Sequence, residues 1–83
     1  MEPEIICIPS AFKHGISEEN IRWAVVHPRY EGPVEDGENR YIVLGFDRAG
    51  NLLEIMYNRL NEKKVKVFHA MKCRNIFFGL LDE

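Results

Sequence analysis

Three histidines, His14, His27 and His69, are the side chains best suited to proton transfer, because unperturbed imidazole changes charge near neutral pH. His69 has the most suggestive neighbours. The run His69-Ala70-Met71-Lys72-Cys73-Arg74 sets an imidazole, an ammonium and a guanidinium close together at an expected strand-to-helix junction. Cleaving a phosphodiester without a metal needs a base for the 2′-hydroxyl, an acid for the leaving 5′-oxygen, and cations for the charge growing on phosphorus. His69 can serve as acid or base, and Lys72 and Arg74 can hold phosphate. A single histidine closing a strand reads equally well as a satisfied core or edge group. His14 lies in a Lys13-His14-Gly15 turn just before a helix start, where free backbone N–H groups favour a phosphate. His27 precedes Pro28 at the end of that helix and is read as structural.

Charge is unevenly distributed. Residues 1–56 carry five basic against ten acidic groups, whereas residues 57–75 carry Arg59, Lys63, Lys64, Lys66, Lys72 and Arg74 against Glu62 alone. Such a stretch is either a nucleic-acid footprint, with Arg59, Lys64 and Lys66 as phosphate contacts, or the solvated edge of a hairpin. No metal-ligand spacing, glycine-rich phosphate loop, nucleophile elbow or dinucleotide fingerprint occurs, so no cofactor is expected. Cys7 and Cys73 sit singly in apolar patterns and are read as small buried hydrophobes. The acidic start and the absence of a long apolar run point to a cytoplasmic protein with no membrane partner.

These side chains need positioning by a small fold. Eighty-three residues, 46% of them hydrophobic, make one domain spanning 1–83. Residues 4–8 are β-branched and bounded by Pro3 and Pro9, which predicts a strand. Ser17 followed by Glu18 and Glu19 predicts a helix start, and Pro28 predicts its end near His27. Residues 28–39 read as a loop, with a short strand near Val34. Three strands follow, over 40–46, 52–58 and 64–70, joined by hairpin loops at 47–51 and 59–63. Alternation puts Leu53, Ile55 and Tyr57 on one face of the second of these strands, opposed by Glu54 and Asn58. In the third it puts Val65, Val67 and His69 together, opposed by Lys64, Lys66 and Phe68. From Met71 onward, Cys73, Ile76, Phe77, Leu80 and Leu81 recur at helical spacing, predicting an amphipathic C-terminal helix with Phe78 exposed. The expected class is α+β, an antiparallel meander of about three to four strands flanked by two helices.

The order of these features resembles the BrnT family of toxins, within the wider RelE/ParE-type fold. The residues that carry the likeness are Lys13-His14-Gly15-Ile16-Ser17-Glu18-Glu19, Arg40-Tyr41-Ile42-Val43-Leu44-Gly45, Gly50-Asn51-Leu52-Leu53-Glu54-Ile55 and Val67-Phe68-His69-Ala70-Met71-Lys72-Cys73-Arg74. The resemblance implies a bacterial toxin that cleaves RNA, free or on the ribosome, and a cognate antitoxin encoded nearby. By position, Lys13 and His14 match the family's Lys-His-Gly motif, and Lys72 and Arg74 fall near its basic junction. His69 stands where the family usually has a small polar residue and comes from the reading of the residues; together the two readings give His69, Arg74, Lys72 and His14 as the expected catalytic groups, with Lys13, Arg59, Lys64 and Lys66 on phosphate. Two other functions fit the same fold: a non-catalytic module binding a protein through Trp23, Tyr30 or Phe78, and a ParE-like toxin acting on DNA topology.

Overall fold

The computed structural model describes residues 3–34 and 38–82. Pro3 and Pro9 bracket β1 (Glu4–Cys7), and Pro9 opens a single 3-10 turn, Pro9–Phe12, whose first position needs no N–H. Ser17 then caps α1 (Glu18–Val26): its hydroxyl accepts the Asn20 N–H at 3.2 Å, and Glu18 and Glu19 meet the positive end of the helix dipole. Ile21, Ala24 and Val25 form the buried stripe of α1, at i, i+3 and i+4. Burying side chains the size of Ile21 and Val25 stabilises by about 1.5–3 kcal/mol each. His27 closes the helix ahead of Pro28; its Nδ1 lies 2.8 Å from the Trp23 carbonyl oxygen and its ring stacks on the indole at 4.0 Å.

The chain then forms β2 (Tyr30–Pro33), β3 (Tyr41–Phe46), β4 (Leu52–Asn61) and β5 (Lys64–Lys72). Among the described residues the sheet order is β1-β5-β4-β3-β2. The chain enters at one edge, crosses the sheet through α1, and returns by a meander from the other edge. β2 to β5 pair antiparallel, but β1 lies parallel to β5, with Ile5 beside Val65 and Cys7 beside Val67. The sheet is therefore five-stranded and mixed, where an antiparallel meander of three to four strands was expected. β1 meets only β5, a strand reached after α1 and three reversals of the chain, so no hairpin joins the two and their parallel pairing is the kind that needs a long crossover.

The core lies between α1 and one face of the sheet: Ile21, Ala24 and Val25 pack on Val43, Leu53, Ile55, Tyr57, Val65 and Val67. On the other face Ile42 and Leu44 are also buried. The β3–β4 hairpin forms as its chemistry predicts. Gly50 takes a φ of 89°, and the Asp47 carboxylate accepts the Ala49 N–H at 2.9 Å and the Asn51 N–H at 2.8 Å. Burial of Asp47 works against its charge, yet these bonds hold its pKa below the ordinary value. The β4–β5 hairpin is tighter than the expected 59–63 loop. Pairing continues to Asn61 opposite Lys64, with Leu60 as an extra residue. The short strand expected near Val34 within the 28–39 loop is β2, which ends one residue earlier at Pro33; the segment 35–37 lies outside the described residues.

The C-terminal α-helix is not formed. Met71 and Lys72 still pair with Glu54 and Leu53, and the Cys73 N–H donates to the Leu52 carbonyl at 2.9 Å, so the residues assigned to the first helical turn stay extended. The seven residues that remain, Asn75–Leu81, form a 3-10 helix. Seven residues interrupted by Gly79 are too few to offset α-helix nucleation. The tighter three-residue period turns Phe77 and Leu80 inward and leaves Ile76 75% exposed, which divides the stripe expected for an α-helix. Phe78 is exposed as expected.

Gly45 marks the closest approach of α1 to the sheet: a Cβ there would stand 2.7 Å from the Ala24 carbonyl oxygen. Backbone cannot swing aside as a side chain can. Gly45→Ala is expected to lower stability by about 1–3 kcal/mol, read as a drop in the urea midpoint at unchanged m-value.

Candidate functional site

The polar centre of the molecule is Glu54, a fully buried carboxylate near the start of β4, the central strand of the sheet. It stands on the face away from α1, opposite Leu44 of β3 and Met71 of β5. Arg74 wraps it: the Arg74 backbone N–H donates to Oε1 at 2.9 Å, Nε lies 3.1 Å from both oxygens, and Nη2 donates to Oε2 at 2.7 Å. His69 completes the shell, with Nε2 2.9 Å from Oε2. Burial by itself would raise the Glu54 pKa. The bonds from Arg74 and then His69 overcome it, and the carboxyl is held below the usual glutamate range. An ionised Glu54 can only accept, so His69 presents Nε2 as N–H to it and keeps the Nδ1 lone pair for other partners when the ring is neutral.

His69 reaches this face through a bulge. Met56 pairs with His69 but Tyr57 pairs with Val67, so Phe68 is an extra residue in β5. The strict alternation expected for 64–70 would put His69 with Val65 and Val67 on the α1 side. The inserted residue reverses the parity beyond it, and His69 turns to the Glu54 face. The Ser10 hydroxyl donates to the Phe68 carbonyl at 2.7 Å and fastens the 3-10 turn beside the bulge. The chain leaving that turn brings His14 to His69, ring centres 5.7 Å apart and nearly perpendicular at 76°. Gly15 follows with a φ of 81°, a left-handed conformation that suits glycine in this turn.

The expected site residues thus separate into groups. His69 and Arg74 come together on Glu54, and His14 lies against His69, with Lys13 adjoining His14 and exposed. Lys66, across from Asn58, shares the His69 face. Lys72 does not join them: it pairs with Leu53, which puts it on the α1 side, contrary to its expected place beside Arg74. Lys64 lies at the hairpin end and approaches Glu4 at 3.8 Å. Arg59 is also at that end, paired with Val65 and so on the α1 side, with its guanidinium over the Tyr41 ring at 5.2 Å. Arg74 is bound to a carboxylate, so it is not the free phosphate clamp expected from the sequence.

Glu54 is the residue that sequence reasoning missed. Its signal is a lone carboxylate inside Leu52-Leu53-Glu54-Ile55-Met56, a charge that no central strand buries without a partner. Cys7 and Cys73 are half-buried free thiols; burial raises both pKa values, with Glu18 adding to the effect at Cys7 and Glu54 at Cys73. Among the described residues no three histidine, cysteine or carboxylate side chains group as metal ligands, and no helix is long and apolar enough to cross a membrane.

The fold and this site define a small α+β protein with a five-stranded mixed sheet and a Glu–Arg–His cluster, its carboxylate buried, at one face. Comparison with protein-family models, curated proteins and solved structures finds no match for the chain.

Because native Glu54 binds its proton more weakly than the unfolded chain does, its contribution is complete above the unfolded glutamate pKa of about 4.3. It is lost as pH falls through the depressed native value. The melting temperature of the wild type is therefore expected to fall more steeply on acidification than that of Glu54→Gln, with the difference confined to the acid side of neutrality. Arg74→Ala removes three charge-assisted bonds made by the side chain and leaves a buried carboxylate short of donors, so the urea midpoint at neutral pH should fall.

Proposed function

We propose that the protein is an endoribonuclease toxin of a BrnT-like toxin–antitoxin pair, cleaving RNA without a metal at the His14–His69 cluster. The observation that carries this reading is the approach of two imidazoles, one of them oriented by a buried carboxylate. That is the arrangement a two-step proton transfer requires. The Lys-His-Gly turn and the His69 to Arg74 segment, on which the resemblance rests, are the two segments that meet there.

The chemistry follows from the hydrogen bonds. With Nε2–H of His69 held by Glu54, the Nδ1 lone pair takes the proton of a 2′-hydroxyl. The 2′-oxygen attacks the adjacent phosphorus and forms a 2′,3′-cyclic phosphate. The bond to the 5′-oxygen breaks, and His14 as imidazolium gives that oxygen its proton. Lys13 and Lys66 supply positive charge to the phosphate, and Glu54 stabilises the imidazolium formed on His69. Arg74 is the positioning residue that keeps Glu54 ionised, with its own half-exposed edge turned to solvent. The reading also assigns an antitoxin as the protein partner, covering this face.

Single substitutions His69→Ala and His14→Ala, each checked for folding, are expected to reduce cleavage of a model RNA by about 10²–10⁴-fold. In cells, discrete RNA products should appear on induction of the wild type and not of either variant. Undiminished cleavage by folded His69→Ala would overturn the assignment. Intact RNA with wild-type protein would favour a binding module, and blocked DNA replication with intact RNA a toxin acting on DNA topology.

A further inference from the structure

A cleft of about 440 Å³ opens on the α1 side of the sheet at the β4–β5 hairpin end, away from the His14–His69 pair. Its volume suits a small molecule. Tyr57 lies at its base, 1% exposed, and its hydroxyl donates to Oε2 of Glu31, which reaches over from β2. Burial and the Glu31 carboxylate push the Tyr57 pKa well up, so the phenol stays neutral and continues to donate. Tyr57 also stacks on Tyr41, ring centres 5.3 Å apart and 14° from parallel. Arg59 lies over both rings, with Nη2 3.4 Å from the Tyr57 hydroxyl. Its backbone is pinned: Asn39 accepts the Arg59 N–H through Oδ1 and donates to the Arg59 carbonyl through Nδ2, both at 2.8 Å.

The lining is balanced in charge. Arg59 and Lys63 stand against Glu31 and Glu62, and Val25 and Val65 supply apolar wall. The ion pairs among the described residues lie elsewhere, so these four charges do not neutralise one another by direct contact. A net anion entering this cleft meets two carboxylates, and a net cation meets a guanidinium and an ammonium. A dipolar ligand with one charge of each sign meets complementary partners for both. The last turn of α1 borders the cleft through Val25, and the negative end of its dipole favours the ligand's positive group.

We infer that this cleft binds a free α-amino acid with an apolar side chain, its carboxylate on Arg59 and Lys63, its ammonium on Glu31 and Glu62, and its side chain against Val25 and Val65. The site is separate from the histidine cluster and independent of the ribonuclease reading. The Glu31–Tyr57 pair fixes one carboxylate before the ligand arrives, and the stacked Tyr41 and Tyr57 rings hold Arg59, so two of the four charged groups are positioned in advance.

The test is an NMR titration of the full chain with L-leucine, N-acetyl-L-leucine and L-leucinamide, followed at the Val25 and Val65 methyls. Leucine is expected to shift these signals saturably, with a Kd of about 0.1–1 mM, a range suited to a ligand of this size. Each blocked analogue should bind about tenfold or more weakly, because it leaves one pair of charges unmatched. Arg59→Gln and Glu62→Gln, both at exposed positions and checked by melting temperature, should each weaken leucine by a similar factor, while Phe78→Ser on the other face should not. No saturable shift up to about 10 mM leucine would overturn the inference. Equal binding of N-acetyl-leucine would overturn it in favour of a plain anion site, and equal binding of leucinamide in favour of a cation site.

Discussion

A carboxylate buried in the middle of a sheet is a severe constraint, and Glu54 imposes it on everything around its face. Removed from water, its charge is tolerable only with donors on most of its lone pairs. Arg74 and His69 supply them, five contacts in all at or below 3.1 Å. To do so, the chain after β5 must stop at Arg74 and present both its backbone and its side chain. The 3-10 helix from Asn75 then follows from that anchor: the Phe77 N–H donates to the Arg74 carbonyl at 3.0 Å, and the Phe77 ring lies under the guanidinium at 5.5 Å. The weak helix-forming tendency of Asn75–Leu81 is thus subordinate to an electrostatic requirement in the strand next to β5.

The second determinant is parity. Along a strand, each residue belongs to one face or the other, and one inserted residue exchanges them. Phe68 is that residue in β5, and it sends His69 to Glu54 while leaving Val65, Val67 and Ala70 in the core. Leu60 does the same in β4, near Arg59. The two bulges help build two polar sites on opposite faces of one small sheet, with the apolar layer of Val43, Ile55 and Val67 between them. A domain this small has little core to spare, and placing its polar groups at the ends of the strands leaves the middle of the α1 face wholly apolar.

Local chemistry made much of the fold legible. Ser17 with Glu18 and Glu19 announced α1, Pro28 its end, and Asp47 to Asn51 with Gly50 the first hairpin, because caps and turns are decided by a few adjacent residues. The faces of β4 were legible for the same reason, since alternation needs only the strand itself. The C-terminal segment was not: its helical spacing is genuine, but pairing of Met71 and Lys72 with β4 and the Arg74 anchor overrode it. A pattern within one segment carries no information about competition for its backbone.

The sequence by itself determined an α+β domain, the placing of α1 and the hairpins, and the presence of histidines and cations able to act on phosphate. Only the tertiary structure decided which of them meet. His14 and His69 are separated by the length of most of the chain, and their approach depends on β1 lying parallel beside β5 and on the Phe68 bulge. Lys72, two residues from Arg74, is turned to the other side by alternation alone. Glu31 and Tyr57 meet because β2 and β4 flank β3. Strand order and register are properties of long-range pairing, in which every strand selects its neighbours against all others, and no short stretch of sequence encodes that choice.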